Sequence, residues 1–413
     1  MRPPLPDGPY LVVGLARSGV AAMRMLAEHG DVIGVDSGTP PEVDPLLDFE
    51  VHVGTDGIEL LELVRTVVKS PGVPREAPVV AETLRRGIEV TGELELAWRL
   101  LPNPFIAVTG TNGKTTTAEL LGAIHRAAGI PVEVAGNVGT PLATLVGHAE
   151  DEAVIVAEAS SFQLEDSSAF APDAAVLLNL APDHLDRHHT FDAYRDAKLR
   201  IFANQRPDQV AVAPPGIEVP GEGRRVEFGA HDLDGVERIR LRGPHNRENA
   251  MAAAAVAAVR GIDRDAIRDA LESFAGVPHR LEEVAVRYGV TYVNDSKATN
   301  VASTVVGLRS FEGGVHAILG GSLKGGGFGD LRAPLAERGA AAYLIGEAAD
   351  ELERDLAGTV PLTRSGDLAR AVADARASAR PGDTILLSPA CASYDQYDDY
   401  ERRGEHFREL ANA

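Results

Sequence analysis

The chain holds a single cysteine, Cys391, so no disulfide can form within it and nothing marks an oxidising compartment. No apolar run approaches the ~18–20 residues of a membrane span, so insertion into a bilayer is not expected. The opening Met1-Arg2-Pro3-Pro4-Leu5-Pro6-Asp7 lacks an apolar core followed by a cleavage site, so a secretory signal is not expected either. Positive charge is scarce: 40 Lys plus Arg stand against 61 Asp plus Glu, a net charge of −21. Nucleic acid and anionic membranes both demand a positive field, which excludes them as expected partners. A phosphorylated small molecule stays open, because loops and bound cations can reverse the field inside a cleft. The cytoplasm is the expected compartment.

What is present reads as a multidomain α/β protein. At 413 residues the chain exceeds one core at the usual ~100–200 residues per domain. A hydrophobic fraction of 44% with 24% charged residues is ordinary for globular chains, which argues against disorder. Leu11–Val13, a glycine turn, a helical stretch over 20–29 and a strand over 32–35 ending at Asp36 make a βαβ unit of a mostly parallel sheet. A second unit starts at Phe105–Thr109 and runs into a helix over 115–128 whose apolar stripe is Leu120, Leu121, Ile124, Ala127 and Ala128. Further strands are predicted at 153–157, 174–178, 290–293, 317–319, 342–345 and 385–387, and the alanine-rich 246–259 as a helix packed close to a sheet. Boundaries fall near Gly92 and Pro278, dividing the chain into 1–92, 93–277 and 278–413.

The strongest chemical signal is Gly110-Thr111-Asn112-Gly113-Lys114-Thr115-Thr116. Backbone N–H groups of a tight loop, a helix start and a lysine form a cradle for phosphates. Lys114 pairs with the outer phosphates of ATP in such a loop, and the Thr115 hydroxyl ligates Mg²⁺. The general pattern Gly-x-x-x-x-Gly-Lys-Thr fails at one position, where Val108 replaces the first glycine. Glu158 follows a strand directly, where open α/β sheets place ligands, and is a candidate Mg²⁺ ligand. Asp183, His184, Asp186 and Arg187 follow the next strand in the same way.

Lys198 shares a helical stripe with Phe191, Tyr194 and Ile201. The commoner case is a lysine that snorkels to water from the stripe's edge. The alternative is an amine kept neutral by burial, able to add CO₂ and become an oxygen ligand. Gly14-Leu15-Ala16-Arg17-Ser18-Gly19 with Asp36 about 20 residues on resembles a dinucleotide fingerprint, which admits an NAD-dependent oxidoreductase. Ala16 in place of the middle glycine hinders a pyrophosphate, so a nucleotide or nucleotide-sugar site is the better reading. Cys391 has no histidine near it in its segment and reads as a small buried thiol.

Taken together, Gly110–Thr116, Gly136-Asn137-Val138-Gly139, the run Glu158–Glu165 and Asn179 followed by Asp183–Arg187 resemble the Mur ligases of peptidoglycan synthesis. Asn294-Asp295-Ser296-Lys297-Ala298-Thr299-Asn300 and Leu387–Ser393 are similar to the D-glutamate-adding members, and the match runs through essentially the whole chain. The resemblance implies three α/β domains: a Rossmann-like one binding a UDP-substrate, a central phosphate-loop ATPase domain with a parallel sheet, and a Rossmann-like one for the amino acid. It implies ligation of D-glutamate to UDP-N-acetylmuramoyl-L-alanine through an acyl phosphate, with ATP and two Mg²⁺ ions, by a monomer. Carried over by position, Lys114, His184 and Lys198 are catalytic. Thr115, Glu158, His184 and carbamylated Lys198 hold metal. Gly110, Thr111, Asn112, Gly113, Lys114, Thr115, Thr116, Asn137, Asn246, Asn249, Arg280 and Asp295 contact ATP. Leu15, Ala16, Arg17, Asp36, Ser37, Ser70, Pro71, Gly72 and Asn137 hold the UDP-substrate, and Lys297, Thr299, Lys324, Ser393 and Tyr400 the glutamate.

Three features depart from the family pattern. The acidic residue usual beside the lysine is absent from Gly320-Gly321-Ser322-Leu323-Lys324, Tyr400 replaces a common phenylalanine, and the stretch 206–242 is shortened.

Overall fold

Short runs of Val, Ile, Leu and Ala, each closed by a glycine or a polar residue, can bury both faces and therefore pair as parallel strands between helices. In the computed structural model, residues 2–40, 48–236, 239, 243–323 and 327–413 are described. They divide into one compact unit of residues 1–238 with 245–272 and another of 239–244 with 273–413.

The first unit carries two parallel sheets. Strands β1 (Tyr10–Val13), β2 (Val32–Asp36), β3 (Glu50–Val53), β4 (Thr66–Lys69) and β5 (Glu89–Thr91) pair in the order β3-β2-β1-β4-β5. Strands β6 (Phe105–Thr109), β7 (Val132–Gly136), β8 (Val154–Glu158), β9 (Ala174–Leu177), β10 (Val210–Ala213) and β11 (Arg224–Glu227) pair in the order β11-β10-β9-β6-β8-β7. One core runs through both, and it includes Val12, Met23, Leu94, Trp98, Phe105, Ile155 and Phe170. The Trp98 ring stands edge-on to Phe170 at 5.6 Å, a geometry the ring quadrupoles favour.

The second unit holds β12 (Glu282–Arg287), β13 (Val290–Asn294), β14 (Val315–Gly320), β15 (Gly339–Ile345), β16 (Leu362–Gly366) and β17 (Thr384–Leu387), ordered β12-β13-β17-β14-β15-β16. This sheet is mixed. Strand β12 runs antiparallel to β13 because Tyr288 and Gly289, at φ 52° and 78°, close a two-residue hairpin between Arg287 and Val290.

Predicted elements are all found, with shifted ends. The first helix is Arg17–Leu26 rather than 20–29, and the alanine-rich one starts at Pro244, where proline costs nothing because the first-turn N–H has no helical partner. Glu158 closes β8 itself instead of following it.

Each strand order reverses once in the first unit's sheets. In the first sheet β1 and β4 are neighbours whose connections leave in opposite directions, and in the second β6 and β9 are. Crevices at such points, outside the carboxyl ends, are where α/β sheets place ligands. The residues there are Gly14 and Ser70 in one sheet, and Gly110 and Asn179 in the other.

Candidate active site

Gly110 leaves β6 at φ 154° and Gly113 sits at φ 87° just before the helix Lys114–Ala127, so the loop turns on two glycines. Val108 lies inside β6, paired with Glu158 and Val176 and fully buried. The strand thus continues past the position where a glycine is usual, and Gly110 makes the turn instead.

The loop is held from two sides. Asn179 accepts from Asn112 N through its Oδ1 at 2.9 Å and donates its Nδ2 to Asn112 O at 3.0 Å. The Thr111 hydroxyl lies 2.9 Å from the Tyr194 hydroxyl and accepts from Ala181 N at 3.0 Å. Asn249, whose amide donates to Asn246 Oδ1 at 3.1 Å, sits directly against Gly113: a Cβ there would come within 2.1 Å of Asn249 Oδ1. The buried alanines of helix Pro244–Val259 let it approach this closely. Gly113→Ala should therefore raise the Kd for an ATP analogue about tenfold or more, since the left-handed conformation alone costs a side chain about 1–2 kcal/mol. Calorimetry with a non-hydrolysable analogue reads this directly, and unchanged affinity would refute it.

Two lysines converge on the same carbonyl. Lys114 Nζ donates to Gly110 O at 3.1 Å and Thr111 O at 3.0 Å, and Lys198 Nζ donates to Gly110 O at 2.8 Å. Lys198, on helix Phe191–Ala203, is only 2% exposed, so it does not snorkel to water. Its ammonium lies 4.7 Å over the Tyr194 ring. Burial, and then the charge of Lys114, push its pKa down to about 7, while Asp183 and Glu158 act in the opposite direction. An ammonium cannot ligate a cation; the neutral amine can carry CO₂ as a carbamate that can.

Glu158 is buried, and its Oε1 accepts from Asn137 Nδ2 at 3.0 Å. Gly136, at φ 122°, allows this approach, since a Cβ there would fall 2.2 Å from Glu158 O. His184 adopts φ 51° ahead of the short helix Leu185–His188, with its ring 4.8 Å from Phe162 and its Nε2 3.5 Å from Asp183. Among the described residues no group of three or more His, Cys, Asp or Glu forms a ready cation cage. The donors present nonetheless suit Mg²⁺, which commonly takes one or two carboxylates and completes its shell from phosphates and water. Glu158 and the Thr115 hydroxyl fit that pattern, and His184 with a carbamate on Lys198 would fit a second ion.

In the first sheet, Asp36 Oδ2 accepts from Leu15 N at 2.7 Å and Oδ1 from Gly38 N at 2.8 Å. The carboxylate that a dinucleotide fold would turn toward a ribose therefore shapes the Leu15–Ala16–Arg17 loop. Ser70 donates its hydroxyl to Gly14 O at 2.6 Å, tying the Ser70-Pro71-Gly72 turn to that same loop. Ser37 follows Asp36 directly.

The second unit carries Arg280, Asp295, Lys297, Thr299, Ser393 and Tyr400. Asp295 and Lys297 follow β13 and Ser393 follows β17, neighbouring strands whose carboxyl ends lie together. Asp295 accepts from Ser388 Oγ at 2.7 Å and Leu281 N at 3.2 Å. Burial raises its pKa to about 7 against the opposing effects of Ser388 and Arg280. Tyr400 begins helix Tyr400–Asn412, and its carbonyl accepts from Ser296 Oγ at 2.8 Å. Lys324 lies outside the described residues. Cys391 is buried, as a small packing thiol would be.

Two residues outside the predicted site set hold these loops, Asn179 from within a matched motif and Arg403 from outside any. Asn179 clamps the phosphate loop. Arg403, 1% exposed, donates to Ser296 O and Oγ, both at 2.9 Å, and to Cys391 O and Ala392 O at 3.2 and 3.0 Å. Burial lowers its pKa to about 10. An arginine inside an otherwise amphipathic helix gives no signal of that role in its own segment.

A phosphate loop at the reversal of a parallel sheet, with a lysine, a carboxylate and a second, buried lysine around it, defines the class as a phosphate-loop nucleotide-binding protein. Residues 9–92 match the model of the MurD-like N-terminal domain of Mur ligases, 108–219 that of the Mur ligase middle domain, and 279–391 that of the Mur ligase glutamate ligase domain. The chain belongs to the Mur ligase family. It is 41% identical to a UDP-N-acetylmuramoylalanine–D-glutamate ligase of Solibacter usitatus, over 98% of this chain and 97% of that one. It is 42% identical to one of Anaeromyxobacter dehalogenans, over 97% and 96%. In fold it resembles the UDP-N-acetylmuramate-alanine ligase of Thermotoga maritima, with a TM-score of 0.58 at 16% identity over 98% and 99% of the chains. The MurF ligase of Thermotoga maritima, solved with ADP, gives 0.57 at 18% identity over 97% of each.

Proposed function

We propose that this chain is an ATP-dependent ligase joining D-glutamate to UDP-N-acetylmuramoyl-L-alanine in the synthesis of peptidoglycan precursors. The observation that carries the reading is the convergence of Lys114 and Lys198 on the Gly110 carbonyl. A carboxylate is a poor electrophile, so the L-alanyl carboxylate first attacks the γ-phosphorus of ATP and ADP leaves. The amine of glutamate then attacks the acyl carbon of the acyl phosphate, loses a proton, and inorganic phosphate departs.

Lys114 neutralises the outer phosphates while the N–H groups of the loop and helix start hold them. Asn137 orients Glu158, and Asn179 fixes the loop. Mg²⁺, held by Thr115 and Glu158 and at a second position by His184 and the Lys198 carbamate, would neutralise charge on the transferring phosphoryl group. Lys297, Thr299, Ser393 and Tyr400 bind the amino acid, and the loops at Leu15 and Ser70 the uridine nucleotide. The proposed compartment is the cytoplasm and the proposed form a monomer. Among the described residues no helix is long and apolar enough to cross a membrane.

Phosphate release with UDP-N-acetylmuramoyl-L-alanine, ATP and a panel of D- and L-amino acids tests this. Release with D-glutamate well above every other amino acid is expected. Equal release with L-lysine or meso-diaminopimelate would assign the chain a different amino acid.

A further inference from the structure

The turn after β4 is gripped from the short helix Leu185–His188, which follows β9, by a side chain to which the reaction gives no task. Arg187 donates through Nη1 to Gly72 O at 3.4 Å and through Nη2 to Pro71 O at 3.4 Å and to Val73 O. Its guanidinium lies 4.7 Å over the Phe162 ring. The same ring packs against His184 at 4.8 Å and stacks on His188 at 5.3 Å, whose Nε2 lies 3.0 Å from Ser161 Oγ. Lys69, fully buried and 2.7 Å from Asp166, donates to the same Val73 carbonyl at 3.0 Å. The turn passes this restraint on, because Ser70 donates to Gly14 O at 2.6 Å. Gly19 is packed so tightly there that a Cβ would lie 1.9 Å from Gly14 O.

We infer that Arg187 is a positioning residue for the nucleotide substrate. It fixes three successive carbonyls of the Ser70–Val73 turn and, through Ser70, the Gly14 loop, so that the crevice between β1 and β4 is formed before the nucleotide arrives. The inference rests on the proposed function, in which that crevice takes the uridine nucleotide. Arginine suits the task where lysine does not: its planar fork reaches several acceptors at once while its face stacks on an aromatic ring. Restraining the crevice beforehand lowers the ordering cost that binding must meet. The phosphate loop is held separately, by Asn179 and Thr111, so ATP binding should not sense the change.

The test is steady-state phosphate release by wild type, Arg187→Ala and Arg187→Lys, varying UDP-N-acetylmuramoyl-L-alanine and ATP in turn. The alanine variant should raise KM for the nucleotide substrate about tenfold and leave KM for ATP within about twofold, with the lysine variant in between. The lysine variant keeps the charge and much of the bulk, so it carries the test if the alanine variant folds poorly. A nucleotide KM within about twofold of wild type in both variants overturns the inference, as does an equal rise in both KM values. A wild type that releases no phosphate with this substrate overturns the proposed function, and the inference with it.

Discussion

Replacing Lys198 by alanine should leave no more than about one-thousandth of wild-type turnover, a barrier increase of ~4 kcal/mol. The residue is 2% exposed, its amine touches the Gly110 carbonyl, and the Lys114 charge lies close enough to disfavour a second ammonium. In the proposed function the neutral amine that burial favours would add CO₂ and release a proton, leaving a carbamate whose oxygens would suit a hard cation. Lys198→Arg should do no better than alanine, because guanidinium neither carries CO₂ in this way nor ligates Mg²⁺. Formate or acetate added to the alanine variant should restore part of the rate by placing a carboxylate in the vacated space. The measurement is phosphate release across a titration of the acid. Wild-type rates in Lys198→Arg would end the carbamate assignment.

Lys114→Ala should slow turnover about 100-fold or more with the fold intact, since a pre-organised contact to developing phosphate charge is worth roughly 3 kcal/mol. Lys114 stands at the first position of a fourteen-residue helix whose buried face is supplied by Thr116, Thr117, Leu120, Leu121 and Ile124, so the helix does not depend on it. Rate and circular dichroism together check this prediction. A rate within a few-fold of wild type would mean that the Gly110 loop does not hold the nucleotide that reacts.

The sequence displayed the interior strands because they are runs of apolar residues buried on both faces, such as Phe105–Thr109 and Val154–Glu158. Four of the six edge strands, β3, β5, β11 and β12, read Glu-Val-His-Val, Glu-Val-Thr, Arg-Arg-Val-Glu and Glu-Glu-Val-Ala-Val-Arg, half-exposed and carrying charge. Such segments are strands because a neighbour offers its edge, information that the local pattern does not contain. The site divides along the same line. Gly110–Thr116 announces its chemistry through spacing, whereas the burial of Lys198 depends on how its helix lies against β6 and β9. Spacing alone favoured an amine in water, and only packing shows the amine turned inward to Gly110.

Helix Pro244–Val259 has a role in the site that its composition hides. Its buried alanines supply almost no volume, so its backbone can stand close to whatever it packs on. Asn249 reaches Gly113 because of this short standoff, with no space left for even a methyl group between them. The helix therefore acts as a spacer whose thickness is written in methyl groups. An added methylene at Ala253 or Ala254 should be felt at the nucleotide loop as well as in the core, so drift in this plain stretch of sequence would register as altered ATP affinity.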